Sequence, residues 1–265
     1  MKKKIALIGG SGFIGHNLAL ELIKKGNEVF IVDSLGVNNL YSFKEEEVEN
    51  KSLYKSILNS RIELLNFHNI HLQIQDARDY NSLSIYLGTV KPDVIIMLAA
   101  VSHANKSNKD PHNTFDHSIR TLENCLDIAR GLNKSSNYCH LIYFSSSMVY
   151  GNFKSEMVNE NAECDPIGIY DTLKYAGELI VKSYNRVFDL PYTIIRPSAL
   201  YGERCVSRRV TQIFIENAVQ GKDINIKGDK HKKLDFTYIK DLIQGVSLII
   251  DNKNSINETF NLTYG

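Results

Sequence analysis

Tyr170 and Lys174 stand one helical turn apart within Tyr170-Asp171-Thr172-Leu173-Lys174, a spacing that puts both side chains on one face. An ammonium held beside a phenol favours the phenolate and lowers the tyrosine pKa from its ordinary ~10 toward neutrality. Such a pair is a general base that takes a hydroxyl proton while hydride leaves the carbinol carbon. Tyr–Lys pairs at this spacing also arise by chance as ordinary exposed neighbours, so the reading needs a partner. Upstream, Ser145-Ser146-Ser147-Met148-Val149-Tyr150-Gly151 follows an apolar run. A hydroxyl at that strand end can hydrogen-bond the oxygen being oxidised.

The chain opens with a second constellation, Gly9-Gly10-Ser11-Gly12-Phe13-Ile14-Gly15, between a strand pattern and a helix pattern. Glycines there permit a tight turn and a close backbone approach to a pyrophosphate, which the free N–H groups of the helix start then hold. Asp33 closes the second strand pattern, where a carboxylate accepts both ribose hydroxyls of an adenosine; the plainer reading is a turn residue. No arginine or lysine follows within the next few positions, so the spacing favours NAD over NADP.

These residues need a scaffold, and the periodicity supplies one. Strand patterns at Lys4–Ile8, Glu28–Val32, His71–Gln75, Asp93–Leu98, His140–Phe144 and Tyr192–Arg196 alternate with helix patterns at Phe13–Lys25, Tyr80–Val90, Thr114–Arg130 and Tyr170–Phe188. That alternation predicts right-handed βαβ units and an α/β fold, a doubly wound parallel sheet. Residues 34–69 exceed a simple crossover; their charged run (Lys44 to Lys51) and helix pattern (Leu53 to Leu65) read as a solvated surface helix, with a flap as the alternative. After Pro197 the alternation weakens into a helix at Val210–Val219, a strand at Ile224–Ile226, a helix at Lys240–Asp251 and a strand at Thr259–Leu262.

Composition fits that scaffold: 265 residues, 43% apolar and 23% charged, can bury one core or a core with a small second unit. Thirty-one basic against 30 acidic side chains leave a formal charge of +1, no electrostatic footprint for nucleic acid or a membrane surface. Cys125, Cys139, Cys164 and Cys205 are scattered, which reads as reduced core thiols rather than a metal site. The lysines at the start precede an apolar run too short for a signal peptide, and no stretch approaches the ~18 apolar residues of a membrane helix.

Taken together, these motifs resemble the extended short-chain dehydrogenase/reductases, in their NAD-dependent sugar-nucleotide epimerase/dehydratase family, across nearly the whole chain. Gly9, Gly12 and Gly15 match the glycine pattern, and Tyr170 with Lys174 the catalytic pair. The resemblance implies that Ser146 is the catalytic hydroxyl. It implies that Asp76-Ala77 contacts adenine, that Leu98-Ala99-Ala100 lies along the cofactor, and that Pro197, in Arg196–Gly202, sits beside the nicotinamide. Residues 1–197 would form a Rossmann-type NAD-binding domain completed by about 235–265, and residues 198–234 part of a small C-terminal substrate-binding lobe that in family members continues beyond this chain. A homodimer packed through the helices around Thr114–Arg130 and Tyr170–Phe188 is also implied, with Cys125 and Leu126 buried by that packing; the cytoplasmic location is expected from the reduced, scattered thiols.

Departures from the family pattern narrow the chemistry. Family dehydratases commonly carry two acids after the catalytic hydroxyl; Ser147 and Met148 stand there, and neither supplies an acid or base at neutral pH. Ala199 and Leu234 replace an Asn and an Arg usually found near the substrate. Phosphate recognition is therefore expected from Arg204, Arg208, Arg209, Lys227 or Lys233, with Arg209 foremost. His117 and Arg120 replace an Asn and a Gly; His117 reads first as a packing residue, with contact to the active site as the alternative. The expected activity is NAD-dependent oxidation at C4 of a nucleotide-diphosphate sugar, as a 4-epimerase or 4-dehydrogenase. The alternatives are a 4,6-dehydratase, a non-catalytic NAD-binding regulator, and an NADP-dependent reductase of small carbonyls.

Overall fold

The structure, a computed structural model, describes residues 2–42, 49–101, 104–134, 138–155, 157–226 and 234–264. Seven parallel strands form its centre: β1 (Lys4–Ile8), β2 (Glu28–Asp33), β3 (His71–Ile74), β4 (Val94–Met97), β5 (His140–Phe144), β6 (Tyr192–Pro197) and β9 (Glu258–Leu262). They lie in the order β3-β2-β1-β4-β5-β6-β9. Such a sheet is covered on both faces, so its inner strands are apolar throughout rather than alternating. In β1, Ile5 and Leu7 point to one face and Ala6 and Ile8 to the other, all fully buried.

One face is covered by α1 (Phe13–Lys24), α2 (Lys51–Phe67) and α9 (Ile239–Asp251), through Leu18, Leu22, Leu65, Leu242 and Val246. The other is covered by α3 (Tyr80–Val90), α6 (Thr121–Lys134) and α7 (Ile169–Phe188), through Leu83, Leu87, Leu126 and Val181. Strand order reverses between β2-β1 and β4-β5, and that switch point opens a crevice at the carboxyl edge. Gly9 leaves β1 there, its N–H donating to Val32 O at 2.7 Å, while Leu98 and Ala99 N–H both donate to Ile8 O at 2.8 Å.

Several expectations are corrected. The pattern at Thr114–Arg130 is not one helix: α5 (Pro111–Phe115) passes through a π-helical turn, Asp116–Arg120, before α6, with α4 (Ala104–Lys109) preceding them. The wider turn shifts the phase of the apolar pattern. Ile224–Ile226 is irregular rather than a strand. Two short strands absent from the sequence reading, β7 (Ala199–Tyr201) and β8 (Phe236–Tyr238), pair in parallel as a second sheet, and α8 (Val210–Val219) lies between them in the chain. The helix of the 34–69 segment is not a solvated surface helix. Tyr54, Leu58, Arg61 and Leu65 form a buried stripe, and Tyr54 and Leu58 pack with Val206 from the segment after β7. Cys125 and Leu126 are fully buried within the single chain, so no partner is needed to cover them. All four cysteines are free; Cys125 and Cys139 are core residues, whereas Cys164 and Cys205 are half-buried.

Candidate active site

The end of β5 and the start of α7 meet at the carboxyl edge. Ser146 caps a 3₁₀ turn, Ser147–Tyr150, its Oγ accepting from Met148 N–H at 3.2 Å. Gly151 ends that turn at φ +64°, where a Cβ would also strike the Asp165 carbonyl, so the chain requires glycine there. At the α7 start, Asp171 Oδ2 accepts from the N–H groups of Ile167 (2.6 Å) and Gly168 (2.8 Å). This local cap fixes the first helical turn, and with it Tyr170, whose phenol interacts with the Ser146 side chain. Lys174 follows on the same face, its Nζ donating to Phe144 O at 2.7 Å and lying 6.0 Å from the Tyr170 ring centroid.

Burial dominates the electrostatics of this trio. It pushes the Tyr170 phenol up, against the Ser146 hydrogen bond and the charge of Arg209, which pull it back. Burial also lowers Lys174 to about 8, opposed by the Glu178 carboxylate. The expected depression of the phenol by Lys174 does not set its titration, because desolvation of both groups outweighs their attraction.

The trio opens into a cleft of about 640 Å³, of a size that holds a cofactor. Gly9, Gly12, Phe13, Ile14, Gly15, Asp33, Asp76, Ala77, Leu98, Ala99, Ala100 and Pro197 line it, together with Ser146, Ser147, Met148, Tyr170, Lys174 and Arg209. His117, placed by the π turn, and Ala199 and Leu234 line it as well. Arg204 and Arg208 are not among its lining residues. Arg204 donates to His16 Nε2 at 2.9 Å and Asn17 Oδ1 at 3.3 Å, tying its loop to α1. Arg208 lies 3.5 Å from Glu49 and over the Tyr54 ring. Lys227 and Lys233 fall outside the described residues.

The residues present fit an NAD molecule. A Cβ on Gly12 would meet only Gly9 O, at 3.3 Å, so the helix start opens onto the cleft; one on Gly9, at φ +83°, would lie 2.7 Å from Ala99 N. Asp33 is held by Ser11 N–H (3.0 Å) and Leu35 N–H (2.8 Å) on separate oxygens, which leaves lone pairs for ribose hydroxyls. Burial pushes its carboxyl up, countered by those bonds and the charge of Arg61. Asp76 is paired with Arg78, whose Nη2 is 2.6 Å away and which holds its carboxyl below the usual range. Two polar atoms without direct access to solvent, Gln75 Nε2 and Ser145 Oγ, belong to lining residues and have no hydrogen-bond partner among the described residues.

The sequence reading missed Ser145, Gln75, Asn38 and Arg61, all in the cleft wall. For Arg61 the signal was present: a lone arginine in the apolar stripe Tyr54, Leu58, Leu65. Among the described residues no three His, Cys, Asp or Glu side chains are grouped as metal ligands, and no helix is long and apolar enough to cross a membrane.

Comparison with known proteins agrees with this geometry. Residues 5–263 match the NAD dependent epimerase/dehydratase family. Protein CapI of Staphylococcus aureus is 30% identical over 256 residues, 96% of this chain and 71% of that protein. The uncharacterized UDP-glucose epimerase YtcB of Bacillus subtilis is 30% identical over 262 residues, 98% of this chain and 76% of its own length. UDP-glucuronic acid 4-epimerase from Bacillus cereus, solved with UDP-glucuronic acid and NAD, superposes with a TM-score of 0.84 at 26% identity, covering 98% of this chain and 77% of that one. The chain belongs to the NAD-dependent epimerase/dehydratase family.

Proposed function

We propose that this enzyme is a 4-epimerase of a nucleotide-diphosphate sugar, removing and restoring hydrogen at C4. The observation that carries this reading is the buried Ser146–Tyr170–Lys174 trio opening into a dinucleotide-sized cleft whose next two residues, Ser147 and Met148, are not acids. Tyr170 takes the proton of the C4 hydroxyl, Ser146 orients that oxygen, and Lys174 supplies positive charge beside the phenol and a donor for the nicotinamide ribose. An oxidised nicotinamide held in this cleft would supply the hydride acceptor and donor for C4 and a positive charge that favours the Tyr170 phenolate. The wall formed by Gly9 to Gly15 would hold the pyrophosphate and Asp33 the adenosine ribose, with Asp76 and Ala77 at the adenine and Leu98, Ala99, Ala100 and Pro197 along the dinucleotide.

The sugar nucleotide enters beside Ser147, Met148 and Arg209, and Arg209, at the start of α8, meets its diphosphate. Residues 198–234 act as part of the substrate lobe over the domain formed by 1–197 and 235–265. A 4-dehydrogenase remains the second reading, since the same trio performs the oxidation alone. A 4,6-dehydratase lacks its acids here, and a non-catalytic regulator has no use for the assembled trio.

The test is to add UDP- and dTDP-hexoses and uronates to the NAD-loaded protein and follow both the sugar product and absorbance of reduced nicotinamide. Interconversion of C4 epimers with transient reduction supports the proposal; absence of reduction with every sugar overturns it. We further propose that the protein is a cytoplasmic homodimer; the exposed apolar residues Leu179 and Val187 on α7 support the dimer, and the free cysteines a reducing compartment. Sedimentation at micromolar concentration is expected to show twice the chain mass, and a monomer alone counts against it.

A further inference from the structure

The sequence around Asp33 offers no cation, yet the fold brings one to it. Arg61 stands on α2 with 1% of its surface exposed, in the wall of the same cleft as Asp33, Val37 and Asn38. Its Nε donates to Arg204 O at 3.0 Å and its Nη2 donates to the same carbonyl, so one edge of the guanidinium is anchored to the loop after β7. The remaining nitrogen, Nη1, makes no hydrogen bond among the described residues. Arg204 itself is turned away, its guanidinium committed to His16 and Asn17 on α1.

Asp33 and Arg61 are electrostatically coupled. Arg61 eases the burial of the Asp33 carboxylate, and Asp33 eases that of the guanidinium, which burial lowers only to about 10, so it is cationic at neutral pH. His16, in the same cluster, is held near 3 by burial and by Arg61 and Arg204, and stays neutral. The backbone-fixed Asp33 carboxylate and the anchored Arg61 guanidinium thus line the same cleft with opposite charges.

Resting on the dinucleotide reading of this cleft, we infer that Arg61 is the second determinant of cofactor choice and the cation that receives a 2′-phosphate once Asp33 is removed. In the native chain the carboxylate accepts the ribose hydroxyls, and its charge opposes a phosphate dianion in a site with little water to screen it. Arg61 adds a small favourable charge to the backbone hydrogen bonds that oppose the burial of that carboxylate. Without the carboxylate, a forked donor anchored on one edge remains, the geometry suited to phosphate oxygens.

The experiment measures dissociation constants of NAD, NADP and adenosine 2′,5′-bisphosphate by calorimetry, without any sugar, so that failure of the epimerase reading does not affect it. Asp33→Ala is expected to raise the NADP-to-NAD affinity ratio by about 10- to 100-fold, the value of one charged hydrogen-bonding partner, and to create binding of the bisphosphate. Asp33→Ala with Arg61→Gln should lose that gain, whereas Asp33→Ala with Arg61→Lys should keep part of it. A merely structural Arg61 would weaken both dinucleotides alike and leave the ratio unmoved. Should the double variants fail to fold, bisphosphate binding to Asp33→Ala decides alone. The inference is overturned if that variant gains no 2′-phosphate affinity, or if a folded Arg61→Gln double variant retains the whole gain.

Discussion

Tyr170 and Lys174 share a corner where each charge alone is costly, and this shapes how the site titrates. Tyr170→Phe removes the proton acceptor while leaving the ring in place. Turnover is expected to fall about 10²–10⁴-fold, the usual share of a positioned proton-transfer group, with NAD affinity nearly unchanged in a binding titration. Lys174→Met should lower both turnover and NAD affinity, and Ser146→Ala should cost less because Tyr170 still meets the substrate oxygen. The pH dependence has a definite sign. The folded Lys174 pKa, about 8, lies below the ordinary 10.5, so the unfolded chain holds this proton more tightly. Burial of the ammonium therefore weakens folding below pH 8, and that loss is recovered as pH rises from about 8 to 10.5. Activity runs the other way: kcat/KM should decline above about pH 8 as the ammonium is lost. Glu178→Gln, which removes the opposing carboxylate, should move that decline to lower pH; an unchanged profile would separate Lys174 from the alkaline limb.

Helix α7 carries the site as an element, with Tyr170, Lys174 and Glu178 at successive four-residue steps on its buried face. Glu178 is bound on both oxygens by Arg196 of β6, at 2.8 and 2.6 Å, and Arg196 Nη1 continues to Tyr150 Oη at 2.7 Å. Breaking such a pair leaves a buried guanidinium uncompensated, so Glu178→Gln is expected to lower unfolding stability by about 3–5 kcal/mol, read from the urea midpoint at neutral pH. What was legible in the sequence follows from range. The sheet strands and most helices announce themselves by local periodicity, and Tyr170 with Lys174 by one turn of spacing. The π turn at Asp116–Arg120 adds a phase shift without changing composition, so a continuous helix was the natural reading, and for His117 a packing role stood ahead of the active-site contact that its cleft position supports. Strands β7 and β8 span three residues each, too few for alternation to register. Arg204 and Arg208 looked like phosphate ligands by charge alone, but their partners on α1 and near α2 are far away in the chain.

At the scale of the whole molecule, the sheet edge is one wall of the cleft, and the 34–69 segment joins hands with α8 above it. The Tyr54 hydroxyl, on a residue with no exposed surface, reaches both Glu216 oxygens at 2.8 and 2.7 Å. Asn50 Nδ2 adds a bond to Glu216 Oε2 at 3.1 Å. Around this inner clasp, Glu49 pairs with Lys222 and, at 3.5 Å, with Arg208; these exposed pairs are screened by water and weaken further in salt. The clasp therefore rests on Glu216, and α8 begins at Arg209, the residue proposed to meet the sugar-nucleotide diphosphate. The two halves of the clasp are not equivalent. Glu216→Ala removes the carboxylate that accepts from the buried Tyr54 hydroxyl, a loss of about 1–3 kcal/mol, whereas Tyr54→Phe removes the donor and leaves a carboxylate still bound by Asn50. Glu216→Ala should accordingly raise the KM for the sugar nucleotide several-fold while NAD affinity, set at the sheet edge, holds; Tyr54→Phe should do the same more weakly. Steady-state KM beside a dinucleotide titration for both variants checks this. Equal loss of NAD and sugar-nucleotide affinity would mean that the clasp supports the whole cleft rather than its α8 side, and an unchanged KM would mean that α8 holds its place without it.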